Sequence, residues 1–379
     1  MKAIGLVGAS CRAMAASLCR IGISVEVADM FADIDTQRIA HALPLSNYPW
    51  SAYSWLMESQ AEAWCYTGGL ENYPRLITRL SKLRPLLGNS AQVLQLVRDP
   101  IYLSRLAEKH GFQYPETTRS PRQPLGKDWL IKPKRSAGGL QIERYTDSHR
   151  SHQSRYFQRE IPGTVMSLAV LSTSTDFKIL GASRLRVGLE YGAACEFVFA
   201  GATSVPIADL PGFDELQKMV EVIHTDTNLV GLWGMDFVLA DRPVLLEINP
   251  RWTATMPLYE RRMERSLMAS HVDACRDQCL SGDLTEWSGT SGLRIVYASC
   301  SFEFSVEHLS YLSAEWNLSR DSILGKPTLA DIPNVGTRIE KGHPICSIYA
   351  DGANENEVEK LLEERVAHVH MVFNQSNTN

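Results

Sequence analysis

The stretch Gly231–Arg251 places the tightest constraint on the fold of this 379-residue chain. Two apolar runs, Met235–Ala240 and Pro243–Ile248, are separated only by Asp241-Arg242. That spacing predicts two strands joined by a short turn. Side chains alternate faces along a strand, so Glu247 and Asn249 point the same way, with Arg251 following as the strand ends. Asp236 on the partner strand can project toward them. Mg²⁺ (or Mn²⁺) takes hard oxygen donors and keeps phosphate oxygens in its shell. Asp236, Glu247 and Asn249 beside Arg251 therefore suit a metal-bound nucleotide whose transferred phosphoryl group the arginine contacts. The plain alternative is a polar strand end with one surface salt bridge.

A second stretch, Trp129–Glu143, asks for the same ligand. A strand delivers Lys132 inward, Pro133–Ser136 form a basic turn, and Gly138 and Gly139 allow close backbone approach before a second strand, Leu140–Glu143. A lysine point charge and a loop of backbone N–H donors suit phosphate, although a plain hairpin with a basic tip reads the same way. Arg184 and Arg186 alternate within Ile179–Val187 and so share a face, where two guanidiniums would bind a carboxylate or phosphate or simply lie in solvent. The glycine-rich turn Thr67–Asn72 follows the strand Ala63–Tyr66, and Glu71 and Asn72 make it a substrate-site candidate.

The run Glu247-Ile-Asn249-Pro-Arg251, with Asp236 upstream in Gly-Met-Asp-Phe, resembles the metal-binding signature of the ATP-grasp superfamily. It is similar in particular to the predicted ATP-dependent carboligases related to biotin carboxylase. The resemblance covers roughly residues 1–350. It implies a mixed α/β ATP-grasp fold: a Rossmann-like first domain (1–95), a nucleotide-binding middle (96–280, with a lid lobe about 128–165) and a small β-rich C-terminal unit (285–379). Lys132, Gly138 and Gly139 would fold over ATP. The strand from Tyr156 would pair with the adenine edge, with Gln158 or Glu160 taking the ribose. Asp236, Glu247 and Asn249 would hold the metal, and Arg251 with Arg184 or Arg186 would stabilise transferred charge. The family's Asp-Lys pair reads Asp99-Pro100 here, leaving Arg98 to supply that charge or the contact to be absent. A second arginine found in some members is Gly234 in this chain.

The activity implied is ADP-forming ligation: a small-molecule carboxylate is activated as an acyl phosphate and attacked by an amine, with one-carbon coenzyme biosynthesis as a setting. Biotin-carboxylase-like carboxylation and a non-catalytic nucleotide-binding subunit are the alternatives. The rest of the sequence bounds partners and location. A net charge of −5 gives no basic face for nucleic acid. The apolar N-terminal run closes at Gly8, too soon for a signal segment, and no stretch reaches membrane-spanning length. Eight scattered cysteines suit reduced thiols in the cytoplasm. A homodimer is compatible with all of this.

Along the chain, Ile4–Val7, Arg12–Arg20 and Ser24–Ala28 read as βαβ, with Asp29 on a ribose as the weaker reading and Ser10 and Arg12 near substrate. Asn89–His110 reads as helix broken at Asp99-Pro100, and Leu210–Asn228 as an amphipathic packing helix. Met256–Leu280 reads as one helix with His271, Cys275 and Cys279 along a face. Three ligands on one straight face span about 12 Å and cannot meet one ion, so packing explains them better than zinc. Ser281–Ser291 reads as a linker. Leu293–Cys300, Pro333–Gly336 and Pro344–Ala350 read as β segments, and Glu355–His370 as the last helix.

Overall fold

The computed structural model describes residues 3–121, 123–146, 152–263, 265–280 and 288–375. It begins with a four-stranded parallel sheet ordered His41–Pro44, Val25–Asp29, Ile4–Val7, Ala63–Tyr66. Ile4–Val7 and Ala63–Tyr66 are buried throughout, as parallel strands covered on both faces must be. Their carboxyl ends open into the Gly8 and Gly68-Gly69 turns. A Cβ on Gly8 would lie 2.3 Å from Thr67 Cγ2, so only glycine lets the two turns meet. Asp29 is not open to a ribose: its carboxylate accepts the backbone N–H groups of Cys11 (2.8 Å), Phe31 (3.1 Å) and Ala32 (2.6 Å). Arg12 is buried and pairs with Asp331 at 2.7 Å and Asp35 at 3.6 Å, tying this sheet to the C-terminal segment, while Ser10 is exposed.

The expected broken helix is two helices, Ala91–Val97 and Pro100–His110. Asp99 caps the second by accepting from Ile101 N at 2.9 Å, and Gly111 ends it in the left-handed region, as a C′ glycine does. A four-stranded lid sheet follows, ordered Thr117–Thr118, Arg155–Arg159, Trp129–Pro133, Glu143–Arg144. The second lid strand is shorter and later than Leu140–Glu143. Gly138, Gly139 and Gln141 all take positive φ, which keeps the chain turning until Glu143.

The central sheet has eight strands in the order Pro243–Asn249, Gly231–Leu239, Thr164–Ser172, Phe177–Val187, Phe199–Val205, Thr290–Tyr297, Pro344–Gly352, Leu329–Ala330, paired antiparallel throughout. The strands from beyond residue 285 therefore continue the sheet that holds the Gly231–Leu239 and Pro243–Asn249 hairpin. Alternation along Thr164–Ser172 divides the core: Leu168 and Val170 pack under the helix Phe213–Thr227, whereas Ala169 and Leu171 meet Met256, Tyr259 and Leu267.

The expected helix 256–280 is interrupted. It is split into Met256–Glu260 and Leu267–Arg276, because Ser266 caps the second piece through Ala269 N and the buried Glu260 carboxylate accepts from Leu267 N. Cys279 consequently falls beyond the helix that carries His271. Of the expected linker, residues 281–287 lie outside the described residues, and Thr290 and Ser291 are already strand. Pro333–Gly336 is loop, flanked by the short strands Leu329–Ala330 and Arg338–Ile339. The last helix runs Glu355–Gln375. Among the described residues no helix is long and apolar enough to cross a membrane.

Candidate active site

Between the lid sheet and the central sheet lies a cleft of about 360 Å³, within the range of small-molecule sites. Lys132, Gly138, Gly139, Gln158, Glu160, Asp236, Glu247, Asn249 and Arg251 all line it. Its lining joins apolar side chains, Leu130, Ile142, Val165 and Val238 among them, to these polar and charged ones.

The hairpin positions Asp236 and Glu247. Asp236 stands directly opposite Glu247 and Gly234 opposite Asn249, with a bulge at Leu246 between the Glu247 and Leu245 pairings. Bulges re-aim side chains, and here both carboxylates point into the cleft. Ser167 Oγ donates to Asp236 Oδ1 at 2.6 Å, and Asn249 Nδ2 donates to Asp236 Oδ2 at 2.9 Å. Burial and then the charge of Glu247 raise the Asp236 carboxyl, against the hydrogen bonds from Ser167 and Asn249 and the charge of Arg251. Two carboxylates held face to face in a partly buried site repel, and a cation between them removes that cost.

Arg251 is fixed on three sides. Its Nε donates to Glu71 Oε1 at 2.9 Å, Nη1 to the Trp252 carbonyl at 2.9 Å and Nη2 to Asn249 Oδ1 at 3.3 Å. Burial works against the guanidinium charge, but Glu71, with Glu247 and Asp236 behind it, outweighs burial and leaves Arg251 above its ordinary pKa.

On the lid, Lys132 Nζ donates to Gln158 Oε1 at 2.7 Å, and Gln158 Nε2 to Thr117 Oγ1 at 3.2 Å. Burial lowers the Lys132 pKa, with Glu247 and Asp236 opposing the shift. The two glycines differ in use. A Cβ on Gly139 would fall 1.8 Å from the Phe197 carbonyl oxygen, whereas one on Gly138 would meet open space. The Gly138 carbonyl accepts from Phe199 N at 3.0 Å, so the loop docks on the central sheet. Gln158 is buried against Lys132; Glu160 sits at the rim, paired with Arg144 at 2.6 Å, and Arg144 also engages Glu196.

Arg184 and Arg186 do share a face, but not the cleft's. Leu185 and Val187 line the cleft, so the arginines between them project to the other side, where Arg184 pairs with Glu355 at 3.0 Å and Arg186 with Glu355 and Glu359 at 3.2 and 3.1 Å. The expectation that Arg184 joins the site is corrected by this geometry. Sequence reasoning missed Ser167, which stands across from Asp236 in register. Its alternation with Val165 was the available signal. His271 spends both ring nitrogens on backbone: Nδ1 accepts from Leu232 N at 2.8 Å and Nε2 lies 3.2 Å from the Leu87 carbonyl. Among the described residues no three His, Cys, Asp or Glu side chains could hold a metal ion, so a cation in the cleft would have two carboxylates and the Asn249 amide to use.

Known proteins share the fold that holds this cleft. The family model described as "ATP-grasp domain" matches residues 99–255. No curated protein sequence matches significantly. Among solved structures, N5-carboxyaminoimidazole synthetase from Staphylococcus aureus superposes with a TM-score of 0.68 at 16% identity, covering 97% of this chain and 96% of that one. An L-amino acid ligase from Bacillus licheniformis gives 0.72 at 12% identity with 96% of both chains covered. Biotin carboxylase from Campylobacter jejuni gives 0.71 at 11%, covering 94% and 89%. Residues 99–255 thus match the ATP-grasp domain model, and nearly the whole chain shares its fold with these solved structures.

Proposed function

We propose that this protein is an ADP-forming ligase that activates a small-molecule carboxylate with ATP and joins it to an amine. The observation that carries the reading is the facing pair Asp236 and Glu247 in a lidded cleft that also holds Lys132 and Arg251. The carboxylates, with Asn249, would hold Mg²⁺ or Mn²⁺, which when bound neutralises phosphate charge. The apolar side chains of the lining suit the adenine and the Lys132 loop the phosphates, with Gln158 or Glu160 near the ribose. A substrate carboxylate oxygen bonds to the γ-phosphorus as the bond from that phosphorus to the bridging oxygen breaks and ADP leaves. The amine then attacks the acyl carbon, loses a proton, and phosphate departs. Arg251 supplies fixed N–H donors where negative charge gathers, so it needs no reorganisation during transfer.

The same reading makes the protein a cytoplasmic enzyme acting on small molecules rather than on nucleic acid or a membrane, as a monomer or homodimer. The solved L-amino acid ligase of the same fold makes amino-acid donors the first class to test, with acceptors drawn from one-carbon coenzyme precursors. The experiment is ADP release across a panel of carboxylates and amines, with bicarbonate as a separate arm. Glu247→Gln should lower the rate by about 100-fold or more with little loss of ligand-free stability. ADP formed only with bicarbonate would transfer the reading to carboxylation. No ADP on any arm, despite tight MgATP binding, would make the protein a nucleotide-binding subunit.

A further inference from the structure

The first domain reaches the cleft's arginine through Glu71. This residue sits in the single turn Leu70–Asn72 that follows the Gly68-Gly69 bend, and its side chain has no solvent exposure. One carboxylate oxygen, Oε1, accepts from Arg251 Nε at 2.9 Å and stands 3.8 Å from Arg98 Nη1. The other, Oε2, is buried without a hydrogen-bond partner. Burying a carboxylate in this half-satisfied way is unfavourable unless charges compensate, and here two guanidiniums share it. Arg98 goes further: its Nη2 donates to Asn72 Oδ1 at 2.6 Å and to the Ser136 carbonyl at 3.0 Å, within the loop that leads into Gly138 and Gly139. The backbone at Gly68 lies against the Arg251 guanidinium, where a Cβ would come within 3.4 Å of Cζ.

We propose that Glu71 is the positioning residue for Arg251 and that, through Arg98, it couples that arginine to the glycine loop. The proposal rests on the ligase reading above. A carboxylate on Nε fixes the guanidinium plane and leaves the remaining Nη hydrogens to face the cleft. Displacing such a group by an ångström is enough to cost on the order of 100-fold in rate. Arg98 in turn carries the position of the loop back to the same carboxylate. The first domain therefore completes the phosphoryl-transfer geometry as well as packing beside it.

The test combines kinetics with a readout that needs no turnover. In the ligand-free protein, the Arg251 Nε–H signal followed by nitrogen-15 NMR should exchange slowly with water, and Glu71→Gln should speed that exchange. With kcat normalised to the folded fraction, Glu71→Gln should lower kcat for ADP formation by 10- to 100-fold while KM for ATP changes less than 3-fold, a split that a merely structural residue would not produce. Arg98→Met should raise KM for ATP and alter the Arg251 Nε–H exchange without removing Glu71, and its effect should be non-additive with Glu71→Gln. If Glu71→Gln does not fold, Arg98→Met decides: unchanged Arg251 exchange and unchanged kinetics overturn the coupling. If the wild type forms ADP and Glu71→Gln matches it in both readouts, the positioning role is overturned while the ligase reading stands. If the wild type forms no ADP, the ligase reading fails and the exchange data alone judge whether Glu71 fixes Arg251.

Discussion

Lys132 shows how far one side chain's surroundings decide its chemistry. Its pKa is lowered by burial, and a bound nucleotide would restore the charge by placing phosphates beside it. Nucleotide binding should therefore weaken as pH rises on the alkaline side of neutrality, earlier than an ordinary lysine would require, because the free protein loses the lysine proton first. Calorimetric titration of MgATP against pH would show this, and Lys132→Arg, always charged, should flatten the curve. Lys132→Ala should weaken MgATP binding by about 10-fold or more. It also takes away the lysine donor to the buried Gln158 Oε1, so a stability loss of about 1–2 kcal/mol is expected alongside. An unchanged affinity in a folded variant would remove Lys132 from the phosphate site.

At the scale of elements, the lid loop and the hairpin were legible in different degrees. The turn Pro133–Ser136 and the glycine pair could be read from residue type, and so could the convergence of Asp236, Glu247, Asn249 and Arg251, because period-2 alternation and a short turn leave little freedom. The face used by Arg184 was not legible: alternation says that Arg184 and Arg186 lie together, not whether a ligand or a helix covers them. The break inside 256–280 was equally hidden, since apolar spacing continues across it and the cap at Ser266 depends on Glu260 packed nearby. Glu71 stood out only as an acidic residue in a glycine turn, and its partner lies 180 positions away. The two loop glycines now separate in a testable way. Gly139→Ala forces the loop off Phe197, and should make the lid markedly more sensitive to limited proteolysis and cut MgATP affinity. Gly138→Ala meets only the cost of a positive φ, about 1 kcal/mol, and should do much less. Equal effects would mean that the loop does not dock as described.

For the whole molecule, His271 joins three parts of the chain: the helix Leu267–Arg276, the sheet through Leu232, and the segment at Leu87. Burial pushes its imidazole down to about 4 from 6.5. The fold therefore holds the neutral ring, and this contribution is complete above pH 6.5 and lost as pH falls through about 4. It amounts to no more than roughly 3 kcal/mol. The raised carboxyl of Glu260, pushed up to about 7 chiefly by burial, acts with the opposite sign, giving stability that is lost as pH rises through 7. As pH rises from 4 to 6.5 the thermal midpoint of the wild type should gain on that of His271→Gln, because the variant lacks the rising contribution and keeps the opposing one of Glu260, and parallel curves would contradict the assignment. The continuous sheet carries a further consequence for the chain's history. Thr290–Tyr297 covers the edge of Phe199–Val205, so a protein ending near residue 280 would expose a row of unpaired backbone groups there, a ready template for self-association. The C-terminal segment is on this account an edge guard that cannot be shed or exchanged between relatives as a free module, and expression of residues 1–280 alone should give aggregates rather than a smaller soluble nucleotide binder.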